Sequence, residues 1–128
     1  MPHLYYVMGP SGAGKDSILN AARSHLVLEK GVVFAHRYIT RPADAGGENH
    51  VALSPEEFQS RKQQGLFCMD WESHGLCYGL GIEVRHWLEK GANVLMNGSR
   101  GYLAEASKAF PEALIPVSIN VDGAVLRE

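Results

Sequence analysis

Short apolar runs alternate along this chain with stretches in which apolar side chains recur at helical spacing. Leu4-Tyr5-Tyr6-Val7-Met8, Val32-Val33-Phe34-Ala35, Asn93-Val94-Leu95-Met96-Asn97 and residues 114–121 have the length and the β-branched or aromatic content of buried strands. Ile18, Leu19, Ala22 and Leu26 repeat on one helical face from Lys15 onward, and Val84, Trp87 and Leu88 do so between Glu83 and Lys90. Ser54-Pro55-Glu56-Glu57 predicts a further helix start: a capping Ser, a Pro in the first helical position and a Glu where a capping box needs one. That helix is expected to reach Gln64 and stop at Gly65, and another to run from Tyr102 to Phe110 before Pro111. Leu66 to Trp71 and Gly75 to Gly81 predict a hairpin or short sheet, Val51-Ala52-Leu53 a short strand, and the aperiodic residues 43–50 a loop. Asp122 caps the start of a last helix, which Glu128 leaves short.

Four main strands with helices between them predict an α/β fold, a doubly wound parallel sheet in one domain spanning residues 1–128. Ligands of such sheets collect outside the carboxyl ends of the strands. Three polar groups follow strand ends here. The first is Gly9-Pro10-Ser11-Gly12-Ala13-Gly14-Lys15-Asp16, the second His36-Arg37-Tyr38-Ile39-Thr40-Arg41, and the third Asn97-Gly98-Ser99-Arg100. All three can therefore face one cleft.

The first group carries the most specific chemistry. Its glycines let the backbone turn tightly and aim successive N–H groups at a polyphosphate, and the helix that starts at Lys15 presents its positive end to the same anion. Lys15 adds a full charge. The spacing G-x-x-x-x-G-K is that of a phosphate loop, preceded by a strand and followed by a helix as the motif requires. The usual closing Ser or Thr is replaced by Asp16, with Ser17 one residue further on. The cofactors this predicts are ATP and Mg2+, with Gly9 through Ser17 holding the nucleotide and Asp16 a candidate ligand of the metal.

Composition narrows the partners. A net charge of −2 supplies no overall field for nucleic acid or an anionic membrane, which leaves small molecules drawn by local cations. Cys68 and Cys77 are too few for a disulfide framework, and the six histidines have no zinc-site spacing. No basic-then-apolar leader and no apolar run of membrane-spanning length occurs, so the expected setting is cytoplasmic.

With these pieces together, the chain resembles the guanylate kinase-like branch of the nucleoside monophosphate kinases. The resemblance rests on Gly9 to Lys15, Thr40-Arg41, Ser54-Pro55-Glu56-Glu57-Phe58, the Tyr78-Gly79 turn and the strand before Asn97. It implies a phosphate-loop kinase fold in which residues 36–81 form an acceptor-binding insertion. It also implies that the lid, last strand and last helix of the family lie beyond this chain. Departures fall where a base would be read: Asp44 stands for an Arg, His50 for a phosphate-holding Tyr, Met69 for a guanine-reading Glu, and Met96-Asn97-Gly98 for an acidic pair. An unmet buried donor costs about 1–3 kcal/mol, so GMP should be rejected. Within the branch, G-P-S-G-A-G-K-D-S, A-H-R-Y-I-T-R, G-G-E-N-H and N-G-S-R are most similar to its phosphonate-metabolism members. These imply ATP-dependent phosphorylation of ribose 1,5-bisphosphate to 5-phosphoribosyl 1-diphosphate. Another phosphotransferase of the same fold, or a nucleotide-binding module without turnover, is the alternative.

Lys15 and Arg41 are the expected catalytic groups, and Arg37, Arg41, His50, Tyr78, Asn97, Ser99 and Arg100 the expected acceptor contacts. Asp16 either binds magnesium, directly or through water, or only complements the helix dipole while Ser17 takes the hydroxyl role. Asp16→Asn should weaken the magnesium dependence of ATP turnover. Magnesium titrations that superimpose on those of the unaltered protein would remove Asp16 from the metal site.

Overall fold

The computed structural model describes residues 2–9, 15–26, 29–42 and 50–119. Among the described residues, two four-stranded sheets carry four α-helices. Strands β1 (Leu4–Met8), β2 (Val32–Phe34), β7 (Asn93–Asn97) and β8 (Leu114–Ser118) form a parallel sheet in the order β2-β7-β1-β8. These are the four strands that the apolar runs predict. The last ends at Ser118, short of the expected Val121, although Ile119 still donates its N–H to the Met8 carbonyl at 2.8 Å. Residues 120–128, including the helix expected at Asp122, lie outside the described part.

β1 is central because both its neighbours are parallel strands, and parallel strands must be covered on both faces. Leu4 and Tyr6 accordingly have no exposed surface. Helix α1 (Lys15–Leu26) carries the chain from β1 to β2, and α4 (Leu103–Ala109) carries it from β7 to β8. A turn of 3-10 helix at Arg100–Tyr102 precedes α4, so the helix expected from Tyr102 begins one residue later.

The second sheet comprises β3 (Tyr38–Ile39), β4 (Val51–Ala52), β5 (Phe67–Ser73) and β6 (Leu76–Gly81), in the order β4-β3-β6-β5. β5 and β6 are the expected hairpin. The segment around Tyr38 does not extend β2; it is an independent strand antiparallel to β6. Helix α2 (Pro55–Gln63) begins as its sequence dictates, with the Ser54 hydroxyl accepting from the Glu57 N–H at 3.0 Å. It buries Phe58 against Phe67, ring centroids 4.6 Å apart. Helix α3 (Glu83–Glu89) returns the chain to β7.

One hydrophobic core runs through both sheets. Tyr6 and Met8 of β1 and Val94 and Met96 of β7 share it with Met69 of β5, Leu80 of β6 and Phe110 beyond α4. Each fully buried side chain of this size contributes roughly 1.5–3 kcal/mol. The shared core fixes the second sheet against the carboxyl ends of β1 and β7. Among the described residues no helix is long and apolar enough to cross a membrane.

Candidate active site

A cleft of about 260 Å3 opens where the two sheets meet. Gly9 from the end of β1, Lys15 from the start of α1, and Gly98, Ser99 and Arg100 beyond β7 line one side. Trp71 and Ser73 of β5, His74 of the hairpin turn and Tyr78 of β6 line the other. Arg37, in the link between the sheets, completes it.

The residues beyond β7 are held by β1. The Tyr6 hydroxyl donates to the Ser99 carbonyl at 2.6 Å and accepts from the Ser99 N–H at 2.9 Å, so one side chain satisfies both backbone groups of Ser99. Burial pushes the pKa of this hydroxyl above its ordinary value, which keeps the donated proton in place. Gly98 lies flat on the Tyr6 ring, and any Cβ there would overlap ring atoms. Arg100 reaches across to the end of β8, donating to the Ser118 hydroxyl at 2.9 Å. At the end of β1, a Cβ on Gly9 would come within 3.0 Å of the Ile119 carbonyl oxygen, and the Lys15 ammonium donates to the Gly9 carbonyl at 3.2 Å.

The opposite side is an aromatic stack. Trp71 is stacked with Tyr78 (5.6 Å, interplanar angle 6°) and with Tyr102 (4.8 Å, 22°), which joins the hairpin to the start of α4. The Arg37 guanidinium lies over the Tyr78 ring at 4.9 Å, and Arg37 is only 9 % exposed. Such a contact positions the cation and compensates part of its lost hydration.

Lys15, Arg37, Tyr78, Ser99 and Arg100, expected from the sequence to bind phosphates and acceptor, thus line a common cleft. Three other expected contacts are not in its lining. His50 is buried, with Nε2 2.9 Å from the Arg41 carbonyl oxygen, so it braces the turn after β3. Arg41 belongs to that turn, and Asn97 is buried within β7. Ser17 is exposed on α1, and Asp16 is described only as part of that helix's backbone. Pro10, Ser11, Gly12, Ala13 and Gly14 lie outside the described residues.

Trp71, Ser73 and His74, to which the sequence analysis assigns no site role, also line the cleft, and Trp71 packs against the core as well. The alternation of β5 carried the signal: Met69, Trp71 and Ser73 share one face, so a buried Met69 turns Trp71 toward the same side. The cysteines remain without chemistry. Burial raises the Cys68 thiol to about 11, and burial with the nearby Glu72 carboxylate raises that of Cys77, so both stay protonated at neutral pH.

The lining suits a polyanion. Lys15, Arg37 and Arg100 supply three cations, Ser73, Ser99 and Tyr78 supply hydroxyls, and no carboxylate stands among the described lining residues. Among the described residues there is also no group of three or more His, Cys, Asp or Glu able to hold a metal.

The architecture is that of the guanylate kinases. The solved guanylate kinase from Anaplasma phagocytophilum superimposes with a TM-score of 0.72 over 91% of this chain and 59% of its own, at 17% sequence identity. No family model matches the chain. Curated relatives define it more closely. The ribose 1,5-bisphosphate phosphokinase PhnN of Desulfomicrobium baculatum is 60% identical over the whole chain, that of Thiobacillus denitrificans 54% over 98%, and that of Yersinia pestis 52% over 100%. The chain belongs to the ribose 1,5-bisphosphate phosphokinase family. It spans about two thirds of these relatives' length: 68%, 65% and 65% respectively.

Gly98→Ala should force Tyr6 and the Ser99 segment apart and cost about 1–3 kcal/mol, as overpacking does. Urea unfolding would register this as a lower midpoint. Gly101→Ala is the control: its Cβ would approach nothing closer than the Ser99 hydroxyl at 3.9 Å, and its midpoint should hardly move.

Proposed function

We propose that this chain catalyses transfer of the terminal phosphoryl group of ATP to ribose 1,5-bisphosphate, giving 5-phospho-α-D-ribose 1-diphosphate, in the cytoplasmic breakdown of phosphonates. The observation that carries the reading is the cleft: three cations and several hydroxyls, no carboxylate among its described lining, and the second sheet folded over the end of the phosphate-loop strand. The names of the relatives support the same acceptor.

The acceptor atom is a phosphate oxygen that is already ionised, so the reaction needs no general base. Its difficulty is the approach of two polyanions, and catalysis consists of alignment and charge neutralisation. Lys15 and the backbone N–H groups of residues 9–15 hold the donor's outer phosphates and stabilise the oxygens of the migrating group. Arg37, fixed over Tyr78, and Arg100, fixed through Ser118, hold the acceptor in line with the donor. Ser99, held by Tyr6, meets a sugar hydroxyl, with Asn97 behind it. Arg41, in the turn braced by His50, is the further cation that would shield the approaching charges. Asp16 would hold magnesium, with the Ser17 hydroxyl a further candidate ligand, and the ion would supply charge neutralisation at the donor phosphates.

Met69 supports rejection of a purine. The position at which a guanylate kinase reads its base holds a thioether that is 2 % exposed and packed in the core shared by both sheets. A thioether is only a weak hydrogen-bond acceptor for a ring N–H.

Incubation with ATP, magnesium and, in turn, ribose 1,5-bisphosphate, GMP or gluconate should yield product with the bisphosphate alone. A preference for GMP would overturn the acceptor, and tight ATP binding without product from any acceptor would favour a nucleotide-binding module. Lys15→Ala should lower turnover about a hundredfold or more while leaving the unfolding midpoint unchanged, because it removes charge stabilisation and not packing.

A further inference from the structure

The tip of the β5–β6 hairpin carries a residue its turn does not call for. Ser73 pairs with Leu76, and the two residues between them, His74 and Gly75, both have positive φ, 53° and 77°. That is the pattern of a type I′ turn, whose first central position favours Asn, Asp or Gly. His74 is the sole non-glycine residue with positive φ among the described residues. Local conformation alone would select another side chain.

His74 lines the cleft together with Lys15, Arg37 and Arg100, and among the described residues it has no hydrogen-bond or ion-pair partner. A basic ring gathered with three cations gains nothing from them. It gains once an anion lies between. Gly9 and Lys15 mark the donor's end of the cleft, whereas the hairpin tip belongs to the other sheet and the other wall. An acceptor with two phosphates can present one to the donor and the other to the tip.

We propose that His74 binds the acceptor phosphate remote from the one that is phosphorylated, and so selects a sugar bisphosphate over a sugar monophosphate. The inference rests on the acceptor reading above. The neighbouring Ser73 hydroxyl lines the same stretch and serves the same phosphate.

Calorimetric titration of the unaltered chain and of His74→Asn with ribose 1,5-bisphosphate, ribose 1-phosphate and ATP tests it. Asn suits the turn, so the thermal midpoint should be equal or higher, and His74→Gly serves as a second variant of the same kind. Affinity for the bisphosphate should fall about tenfold or more, the loss expected for a charge-assisted hydrogen bond, while affinities for ribose 1-phosphate and ATP stay within about twofold. Unchanged bisphosphate affinity in both variants, or an equal loss for both sugars, would overturn the role of His74. If the unaltered chain binds ATP but not the bisphosphate, the acceptor reading itself fails, a result distinct from either.

Discussion

Two polyanions can be aligned only where cations outnumber carboxylates and are held still, and the arrangement of this chain follows from that constraint. Free lysines and arginines would not suffice, since ordering a long side chain costs about 1.5–2 kcal/mol that must come from somewhere other than the ligand. Here each cation in the cleft is already tethered. Lys15 is bonded to the Gly9 carbonyl, Arg37 lies over Tyr78, and Arg100 is bonded to Ser118. Two strands of the first sheet, β1 through its extension at Gly9 and β8 through Ser118, and β6 of the second sheet provide those tethers.

The tethers hold because the two sheets share one core. Met69 and Leu80 of the second sheet pack with Tyr6, Val94 and Met96 of the first, and the Trp71 ring joins Tyr78 to Tyr102 at the start of α4. Tyr6 belongs to both tasks. Its ring is core, while its hydroxyl satisfies both backbone groups of Ser99 and leaves room for only a glycine at position 98. Loss of packing at Tyr6 would therefore be felt in the cleft.

The same packing underlies the acceptor selectivity proposed above. A base-reading site needs an aromatic face and buried hydrogen-bond acceptors. Here the Trp71 ring is engaged with two neighbouring rings, the Tyr78 ring carries a guanidinium, and the position that would read guanine is a buried thioether. What the cleft offers is charge and hydroxyls, which suit a compact phosphorylated sugar.

Much of this was legible in the amino-acid sequence because it depends on local rules. Strand and helix periodicity, the Ser54 cap, the turn glycines and the G-x-x-x-x-G-K spacing each involve neighbours within a few residues, and they determine the parallel sheet and the phosphate-loop chemistry. The partners in the cleft were not legible, because proximity across sheets depends on long-range packing. Arg37 and Arg41 look equivalent in sequence, yet they flank a two-residue strand and only Arg37 lines the cleft. Trp71 and His74 carry no local signature of a site, yet both line the cleft. Only the docking of one sheet on the other, through side chains as distant in sequence as Tyr6 and Met69, decides which face of β5 becomes a wall of the site.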